Sequence, residues 1–217
     1  MIQRFFIICL SLFTLSACES TYYAAMEKVG QHKRDILVDR VESASESQEE
    51  AQQEFKDALT HLSTLINFDG DDLARQYDIS KNHFEESKAA AEDVTKRIDS
   101  IESVANALFE EWQDELSQYS NANLKRDSEQ KLKQTQRQFS KLLKSMRRSE
   151  AKMQPVLDSL KDNVLYLKHN LNAQAVAAIR GEFDSLKVDI QNLINDMNRS
   201  IADSNAFIEQ MNVNKAG

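Results

Sequence analysis

Apolar residues recur at alternating steps of four and three along most of this chain, and this spacing constrains its fold more than any other feature. In the first such segment the positions are Leu37, Val41, Ala44, Gln48, Ala51, Phe55, Ala58, Leu62 and Leu65. Side chains at these steps share one face of an α-helix, and that face must pack against another. The pattern predicts long helices packed through continuous apolar seams, with Gln48 as the one polar member of the first seam.

Glycine and proline are too scarce for a fold that needs many turns. The chain has 217 residues, with four glycines and one proline. Average usage would give about 15 glycines and about 11 prolines. Because β-sandwiches and doubly wound α/β folds use these residues at their many turns, the composition favours an all-α protein.

Three short polar segments divide the apolar pattern into four long helices. They lie at 67–71, 120–123 and 170–172, and Asn123 and Asn172 are the predicted N-caps of the third and fourth helices. The start of the second helix is ambiguous, because residues 78–80 fit either a cap or a helix interior. Pro155 predicts either a kink near 151–155 or a helix that restarts there.

The connections between these helices are short, which makes consecutive helices antiparallel neighbours. We therefore predict an elongated antiparallel helical bundle, or a pair of coiled-coil hairpins, over residues 36–212, with a tail at 213–217. A helix of about 40 residues is roughly 60 Å long. The seams can close within one chain or between chains, so self-association through the helices stays open.

Residues 1–17 have the features of a secretory signal peptide. Arg4 is their only charge, and the apolar run at 5–15 is too short for a permanent membrane-spanning helix. The segment LSAC at 15–18 resembles a bacterial lipobox. That resemblance implies that Cys18 is diacylated, with chains such as palmitate, that the chain is cut before Cys18, and that the new amine is acylated. The alternatives are an ordinary cleaved signal with an incidental cysteine, or a retained transmembrane anchor.

The residue after Cys18 bears on which membrane holds the chain. In Gram-negative lipoproteins an aspartate there is the usual signal for inner-membrane retention, and this chain has Glu19 instead. We therefore predict anchoring in the inner leaflet of the outer membrane, with a lipidated tether at 18–35 and the helical domain in the periplasm. The formal net charge of −8 argues against a nucleic-acid partner.

The residues that support catalysis or metal binding are missing or scattered. After Cys18 the chain has no cysteine, and it lacks both a phosphate-binding glycine loop and a nucleophile elbow. His83 and Glu86, one helical turn apart, come closest to a ligand pair, but a solvated salt bridge is the favoured interpretation. We predict a protein that is not an enzyme, with no catalytic residue, no metal and no cofactor. The alternative is an enzyme or metal site assembled across helices.

Two neighbouring segments carry opposite charge. Residues 101–119 contain five acidic and no basic residues, whereas residues 125–152 contain ten basic and three acidic residues. Folding the chain back at 120–123 pairs them, with Glu115 near residue 128 and Ile101 near Leu142, and such pairs select the neighbouring helix. The alternative is a contact with anionic lipid, lipopolysaccharide or wall polymer. The residues that we single out for such a contact are Lys141, Lys144, Arg147 and Arg148.

Two further stretches stand out from the rest of the chain. KRDILVDRV at 33–41 mixes alternating charge with a tight apolar cluster, and LYLKHNLNA at 165–173 lies at a predicted helix junction. We interpret them as sites of close helix packing, with a surface for an envelope protein partner as the alternative. The residues of that candidate partner surface are Lys33, Arg34, Asp35, Asp39, Arg40, His169, Asn170 and Asn172.

Four segments carry a family resemblance: KRDILVDRV at 33–41, LFEEW at 108–112, MQPVL at 153–157 and LKHNLNA at 167–173. In this order they resemble a bacterial family of predicted lipoproteins classed as a domain of unknown function, from Tyr22 to about Met211. The resemblance implies a helical structure and an envelope location, but no activity. We therefore expect a non-enzymatic, lipid-anchored spacer, scaffold or adaptor. The alternative is a module that binds an anionic lipid or polymer through residues 125–152.

Overall fold

The chain folds into four long α-helices in a computed structural model, which describes residue 26 and residues 32–70 and 72–216. They are α1 (Lys33–Leu65), α2 (Leu73–Glu115), α3 (Ala122–His169) and α4 (Ala173–Ala216), and a short 3₁₀ turn at Leu116–Gln118 follows α2. No strand occurs in the described ranges, so the all-α prediction is confirmed. The predicted signal peptide, Cys18 and most of the predicted tether lie outside the described residues.

Asparagine and aspartate side chains begin three of the four helices. The Asp72 carboxylate accepts from the backbone N–H of Arg75 at the start of α2. Asn172 Oδ1 accepts from the backbone N–H of Ala175 at the start of α4, which confirms the predicted cap. The predicted cap at Asn123 is wrong, because Asn121 precedes α3 in an extended conformation. Its side chain accepts from the N–H groups of the first turn, which places Asn123 inside the helix.

The helices form a closed bundle in which each runs antiparallel to its two neighbours. Helix α1 packs against α2 and α4, and α3 packs against the same two helices. Arg34, at the start of α1, contacts the carbonyl oxygen of Met211 near the end of α4. Arg180, near the start of α4, contacts that of Ile66 just after α1. We call the end with the start of α1 the near end, and the end with residues 66–72 and 170–172 the far end.

The predicted seams form the core within this single chain. Side chains of the first seam are buried from Leu37 to Leu65, and Gln48 is fully buried among them. The 33 residues of α1 correspond to a rod of about 50 Å. The bundle is therefore long and narrow.

The structure answers two questions that the sequence left open, the start of α2 and the effect of Pro155. Residues 78–80 lie inside α2, which begins at Leu73. Helix α3 continues through Pro155 without interruption, so the helix does not restart there. Proline lacks a backbone N–H and leaves one helical carbonyl without its usual donor, and the exposed position of Pro155 lets solvent hydrate that carbonyl.

None of the helices in the described ranges combines the length and the hydropathy of a membrane-spanning segment.

Candidate functional site

The basic residues of the 33–41 stretch connect α1 to its neighbours at the near end. Lys33 Nζ lies 3.0 Å from Glu111 Oε2 on α2. The Arg40 guanidinium donates to the carbonyl oxygen of Ser100, also on α2, over 2.9 Å. The structure therefore uses these two cations to hold α1 against α2.

The remaining polar residues of this stretch differ in exposure. Arg34 donates to the carbonyl oxygen of Met211 on α4, and Asp35 is half-buried in the first turn of α1. Asp39 is exposed. The apolar residues between them, such as Ile36 and Leu37, are buried. Packing, the favoured interpretation of residues 33–41, therefore accounts for most of this stretch.

The predicted polar residues of the far end lie at the junction of α3 and α4. Asn170 Nδ2 donates to the carbonyl oxygen of Tyr166 over 3.0 Å, and Asn172 caps α4 through the N–H of Ala175. His169 is exposed. The two asparagines thus end one helix and begin the next, and the predicted partner residues are divided between opposite ends of the bundle.

An apolar surface at the far end was not among the predicted site residues. Leu165 is 45% exposed, Tyr166 is 42% exposed and Leu171 is 48% exposed. The signal was available in the sequence, because these residues stand outside the α3 seam, whose members here are Val164 and Leu167. Single exposed apolar residues are common, and these three are a candidate contact surface because they lie within seven residues of one another at one helix junction.

Arg147 joins the basic stretch of α3 to α2. Of the acidic residues at 101–119, however, only Glu102 pairs with α3 among the ion pairs of the described residues, and Glu111 pairs with Lys33 on α1 instead. Arg147 Nη2 lies 2.7 Å from both Asp99 Oδ1 and Glu102 Oε2, and Arg147 Nη1 lies 3.0 Å from Glu150 on the same helix. Burial alone would lower the pKa of Arg147, but the hydrogen bonds to these three carboxylates raise it. Arg147 is therefore a cation already neutralised within the bundle.

The register of α2 against α3 agrees with the prediction to within about one helical turn. Trp112 Nε1 donates to Ser128 Oγ over 2.8 Å, whereas the prediction placed Glu115 beside residue 128. Arg147 reaches Asp99 and Glu102, which deviates from the predicted register in the opposite direction, so the two deviations reflect the reach of long side chains rather than a shift of one helix.

The same stretch also pairs with α4, which the sequence analysis did not anticipate. Lys141 Nζ lies 2.8 Å from Asp203 Oδ1, and Lys152 Nζ lies 2.6 Å from Asp196 Oδ2. Burial acts to raise the pKa of Asp203, but hydrogen bonds from Lys141 and Ser145 outweigh it and lower this pKa. The α3 cations thus hold the bundle together on two sides.

Two of the four residues singled out for an anion contact are left exposed. Lys144 and Arg148 point to solvent, and neither forms an ion pair with another described residue. Lys141 and Arg147 are engaged with carboxylates, so the predicted anion contact now rests on Lys144 and Arg148. It stays a prediction.

A polar layer crosses the middle of the core. Gln48 Nε2 donates to Ser149 Oγ over 3.4 Å, and the Ser149 hydroxyl donates to the carbonyl oxygen of Met146. Gln48 Oε1 and the hydroxyls of Ser87 and Ser200 are buried without a hydrogen-bond partner among the described residues. Such groups cost stability, and a buried polar residue in a seam is best known for fixing helix register.

We expect Gln48→Leu to raise the free energy of unfolding by about 1 kcal/mol, because it removes a buried oxygen that lacks a donor while keeping a similar volume. Ser149 keeps its bond to the Met146 carbonyl in this variant. Urea unfolding followed by helical circular dichroism measures the change. The matched variant Ser149→Ala removes the partner of Gln48 and should destabilise the bundle. Destabilisation by Gln48→Leu would contradict this account of the layer.

A pair of histidines lies between α1 and α2 in the half of the bundle towards the far end. The ring centroids of His61 and His83 are 5.4 Å apart, and His61 Nε2 lies 2.7 Å from Ser80 Oγ. His83 Nδ1 lies 3.5 Å from Glu86 Oε2, in keeping with the predicted salt bridge. Burial, followed by the neighbouring His83, lowers the pKa of His61 from its ordinary value of 6.5.

We expect the bundle to lose stability as the pH falls below about 6.5, partly through His61. Because the pKa of His61 is lower in the folded state, the unfolded chain binds the proton more readily. The stabilising contribution is complete above the unfolded-state pKa and is lost as the pH falls through the folded-state pKa. In His61→Gln the free energy of unfolding should change less between about pH 7.5 and pH 5.5.

Urea unfolding at a series of pH values tests this expectation. His169→Gln is the matched control, because His169 is exposed at the far end and should leave the wild-type dependence intact. An unchanged dependence in His61→Gln would show that His61 does not carry the effect.

The comparison with known protein families decides where this chain belongs. A family model described as Protein of unknown function (DUF2959) matches residues 22–211. The chain belongs to the DUF2959 family. The match confirms the predicted resemblance to a family of unknown function, and it contains α1, α2 and α3 entirely and most of α4. No curated protein and no solved structure matches the chain.

In this DUF2959 protein the described ranges contain no group of three histidine, cysteine, aspartate or glutamate side chains arranged to hold a metal ion. Charged side chains form ion pairs instead, some between helices and others within one helix. Three features suit contact with other molecules: the apolar surface of the far end, the exposed cations of α3, and a groove between α2 and α3.

Proposed function

We propose that this DUF2959 protein is a lipid-anchored, non-enzymatic spacer or adaptor of the bacterial cell envelope. In this proposal Cys18 is acylated and holds the near end at a membrane, and the far end contacts another envelope component. Two or more acyl chains, each buried methylene contributing about 0.8 kcal/mol, hold a protein durably in a bilayer. The mechanism is geometric: the anchor holds one end, and rigid helices carry a surface to a defined height.

The dimensions of the bundle support this arrangement. Cys18 precedes Lys33, the first residue of α1, by 15 positions, and α1 then runs from the near end to the far end. A surface at residues 165–171 therefore lies about 50 Å from the near end along the bundle. That is the length of α1, so a near end held at a bilayer by Cys18 would leave the far end well beyond the lipid headgroups.

The observation that carries the proposal is the apolar surface of the far end. Leu165, Tyr166 and Leu171 are each close to half exposed, whereas the neighbouring seam residues Val164 and Leu167 are buried. Exposed tyrosine and leucine at the end of a bundle are typical of a protein–protein contact. In such interfaces a few residues, with tyrosine prominent among them, contribute most of the binding energy. We place the protein in the periplasm, at the inner leaflet of the outer membrane, because Glu19 replaces the aspartate of inner-membrane retention.

Site-specific photocrosslinking in living cells tests the proposal. A photoreactive amino acid at Tyr166 should give an adduct of one discrete mass, and the same amino acid at Gln136, exposed on the side of α3, should not. The adduct should disappear when Cys18 is replaced, because the far end then loses its fixed position. Equal crosslinking at the two positions, or an adduct that does not depend on Cys18, would contradict the proposal.

A further inference from the structure

A groove of about 790 Å³ runs between α2 and α3. It lies on the far-end side of the contact between Asp99 and Arg147. Its apolar floor is formed by Phe84, Ala91, Met153 and Leu157. Met153 and Leu157 are buried while Phe84 is half-buried, so the floor continues the core to the surface.

Among the described residues, the ion pairs between α2 and α3 lie only at the near-end side of the groove. In the described part of the chain, the ion pairs that join these two helices all come from Arg147. Beyond them the facing side chains are small, as at Ala91, Thr95 and Ala151, and they do not fill the space between the helices. The polar layer around Gln48 lies at about the same level, so the core beneath the groove is also less apolar.

Charged and polar residues form the two rims of the groove. On α2 the rim residues are Glu85, Lys88, Glu92 and Lys96, and on α3 they are Glu150, Gln154, Asp158 and Lys161. Their spacing of three and four places each set on one stripe of its helix.

Each rim would face residues of opposite or matching polarity if a second copy of the same rim ran antiparallel to it. In α2 this reversed alignment exchanges Glu85 with Lys96 and Lys88 with Glu92. In α3 it exchanges Glu150 with Lys161, and Gln154 with Asp158. Every exchange joins opposite charges or an amide with a carboxylate. A self-complementary pattern of this kind is what a two-fold interface between identical chains requires.

The centres of the two rims lie at about the same height in the bundle. The exchanged pairs of α2 are centred beside residue 90, and those of α3 are centred beside residue 156. Arg147 contacts both Asp99 and Glu102, and moving from these contacts along the antiparallel helices brings residue 90 level with residues 156–159, so the two centres agree to within about one helical turn. One two-fold axis perpendicular to the helices therefore relates both rims at once.

We propose that the groove face of this protein docks on the same face of a second copy, with α2 antiparallel to α2 and α3 antiparallel to α3. The axis places Glu85 opposite Lys96 of the second copy and Lys88 opposite Glu92 of the second copy. Shape agrees with charge, because the bulky Phe84 at one end of the groove meets the end lined by Thr95 and Ala151. The proposal concerns this face alone and does not depend on the far-end contact.

The local pairs of Lys88 and Gln154 leave these side chains available for docking. Glu150, by contrast, is already bound to Arg147 and contributes less to the contact with Lys161 of the second copy. Lys88 and Glu92 are 3.9 Å apart within α2, with side chains about half exposed, and Gln154 donates to Asp158 within α3. Exposed pairs of this type are weak, so the same side chains can turn to a facing helix. In the two-fold arrangement each rim pair occurs twice, which doubles its effect on association.

Charge reversal within one rim pair tests the proposal. In Lys88→Glu like charges meet at two places, so dimerisation should weaken roughly tenfold. The double variant Lys88→Glu/Glu92→Lys restores both opposite-charge contacts and the pair within α2, and its dimerisation constant should return to within about threefold of the wild type. Sedimentation equilibrium of the whole chain in a neutral detergent measures each constant.

The control is Lys133→Glu, which breaks a similar pair with Glu129 on α3 outside the groove and should leave dimerisation unchanged. Helical circular dichroism of each variant establishes that it is folded. A wild-type chain that stays monomeric at the highest concentration reached would overturn the proposal. So would a dimer that Lys88→Glu does not weaken or that the double variant does not recover.

A single cysteine near the axis gives an independent readout. Ala89 is exposed and lies beside the axis, so Ala89→Cys should form a disulfide-linked dimer under mild oxidation. Gln134→Cys, exposed on α3 away from the groove, should not, and the wild-type chain controls for Cys9 and Cys18. Equal crosslinking of the two variants would contradict the docking geometry.

Discussion

Phe55→Ala should lower the free energy of unfolding by about 3–5 kcal/mol, which is the usual cost of removing a buried phenylalanine ring. Phe55 lies in the middle of α1, is fully buried and belongs to the main core cluster. Its ring is one of the largest side chains in a seam that otherwise contains several alanines. The cavity left behind has few ways to collapse, because long straight helices move only as a whole. Urea unfolding, followed by helical circular dichroism, measures the change.

Val188→Ala is the matched control for this prediction. Val188 lies on α4 and is 57% exposed, so its truncation should change the free energy of unfolding by less than about 0.5 kcal/mol. A loss of under about 1 kcal/mol in Phe55→Ala would show that the first seam is not the packed core of the bundle.

Loss of the proposed lipid anchor should release the protein from the membrane, and Cys18→Ala is the simplest variant that removes the anchor. In the proposed anchor, a thioether-linked diacylglyceryl group and an amide-linked chain would provide far more than the marginal affinity of a single acyl chain. An uncleaved signal peptide would itself hold the variant at a membrane. The sharper form of the experiment therefore joins an ordinary cleavable signal directly to Glu19 and follows the protein through separation of membranes from soluble contents.

The controls use residues beside the predicted anchor. Cys9→Ala changes the other cysteine, inside the predicted signal, and should leave the protein with the membranes. Glu19→Asp should keep the protein in membranes but move it from the outer to the inner one. Recovery of the non-lipidated chain in the membrane fraction, at the wild-type level, would contradict anchoring through Cys18.

Most of the fold follows from local sequence patterns. The seam that begins at Leu37 specifies helix faces through spacing alone, and few glycines and prolines leave few places for a turn. The position of a cap was harder to predict, since Asn121 and Asn123 are chemically identical candidates and the extended backbone of Asn121 decides between them. The continuation through Pro155 was also open, because an exposed proline in a long helix can be tolerated when packing holds both sides.

Contacts between distant helices were predicted less well. Opposite charge across a short connection predicts that α2 packs against α3. The spacing of apolar residues does not indicate which other helices become neighbours in the bundle. The ion pairs of Lys141 with Asp203 and of Lys152 with Asp196 therefore went unpredicted. The same reason applies to the neighbouring rings of His61 and His83, which approach each other only when α1 and α2 adopt their register.

The candidate contact surfaces could be predicted only in part. The stretch at 165–173 was selected because it lies at a predicted helix junction, and only its polar residues were named as a partner surface, whereas the structure exposes its apolar members, above all Leu165 and Leu171. Sequence spacing indicates which residues belong to a seam, but exposure of the others depends on where neighbouring helices end. The groove between α2 and α3 likewise results from small residues that face each other across two helices.

Mass spectrometry of the N-terminal peptide, taken from the protein in the membranes of its own cells, tests the central claim most directly. The account predicts a peptide that begins at Cys18, with a diacylglyceryl group on its sulfur and an acyl chain on its amine. A peptide that begins at any other residue, or one with an unmodified Cys18, would contradict a lipid anchor at the near end of this bundle.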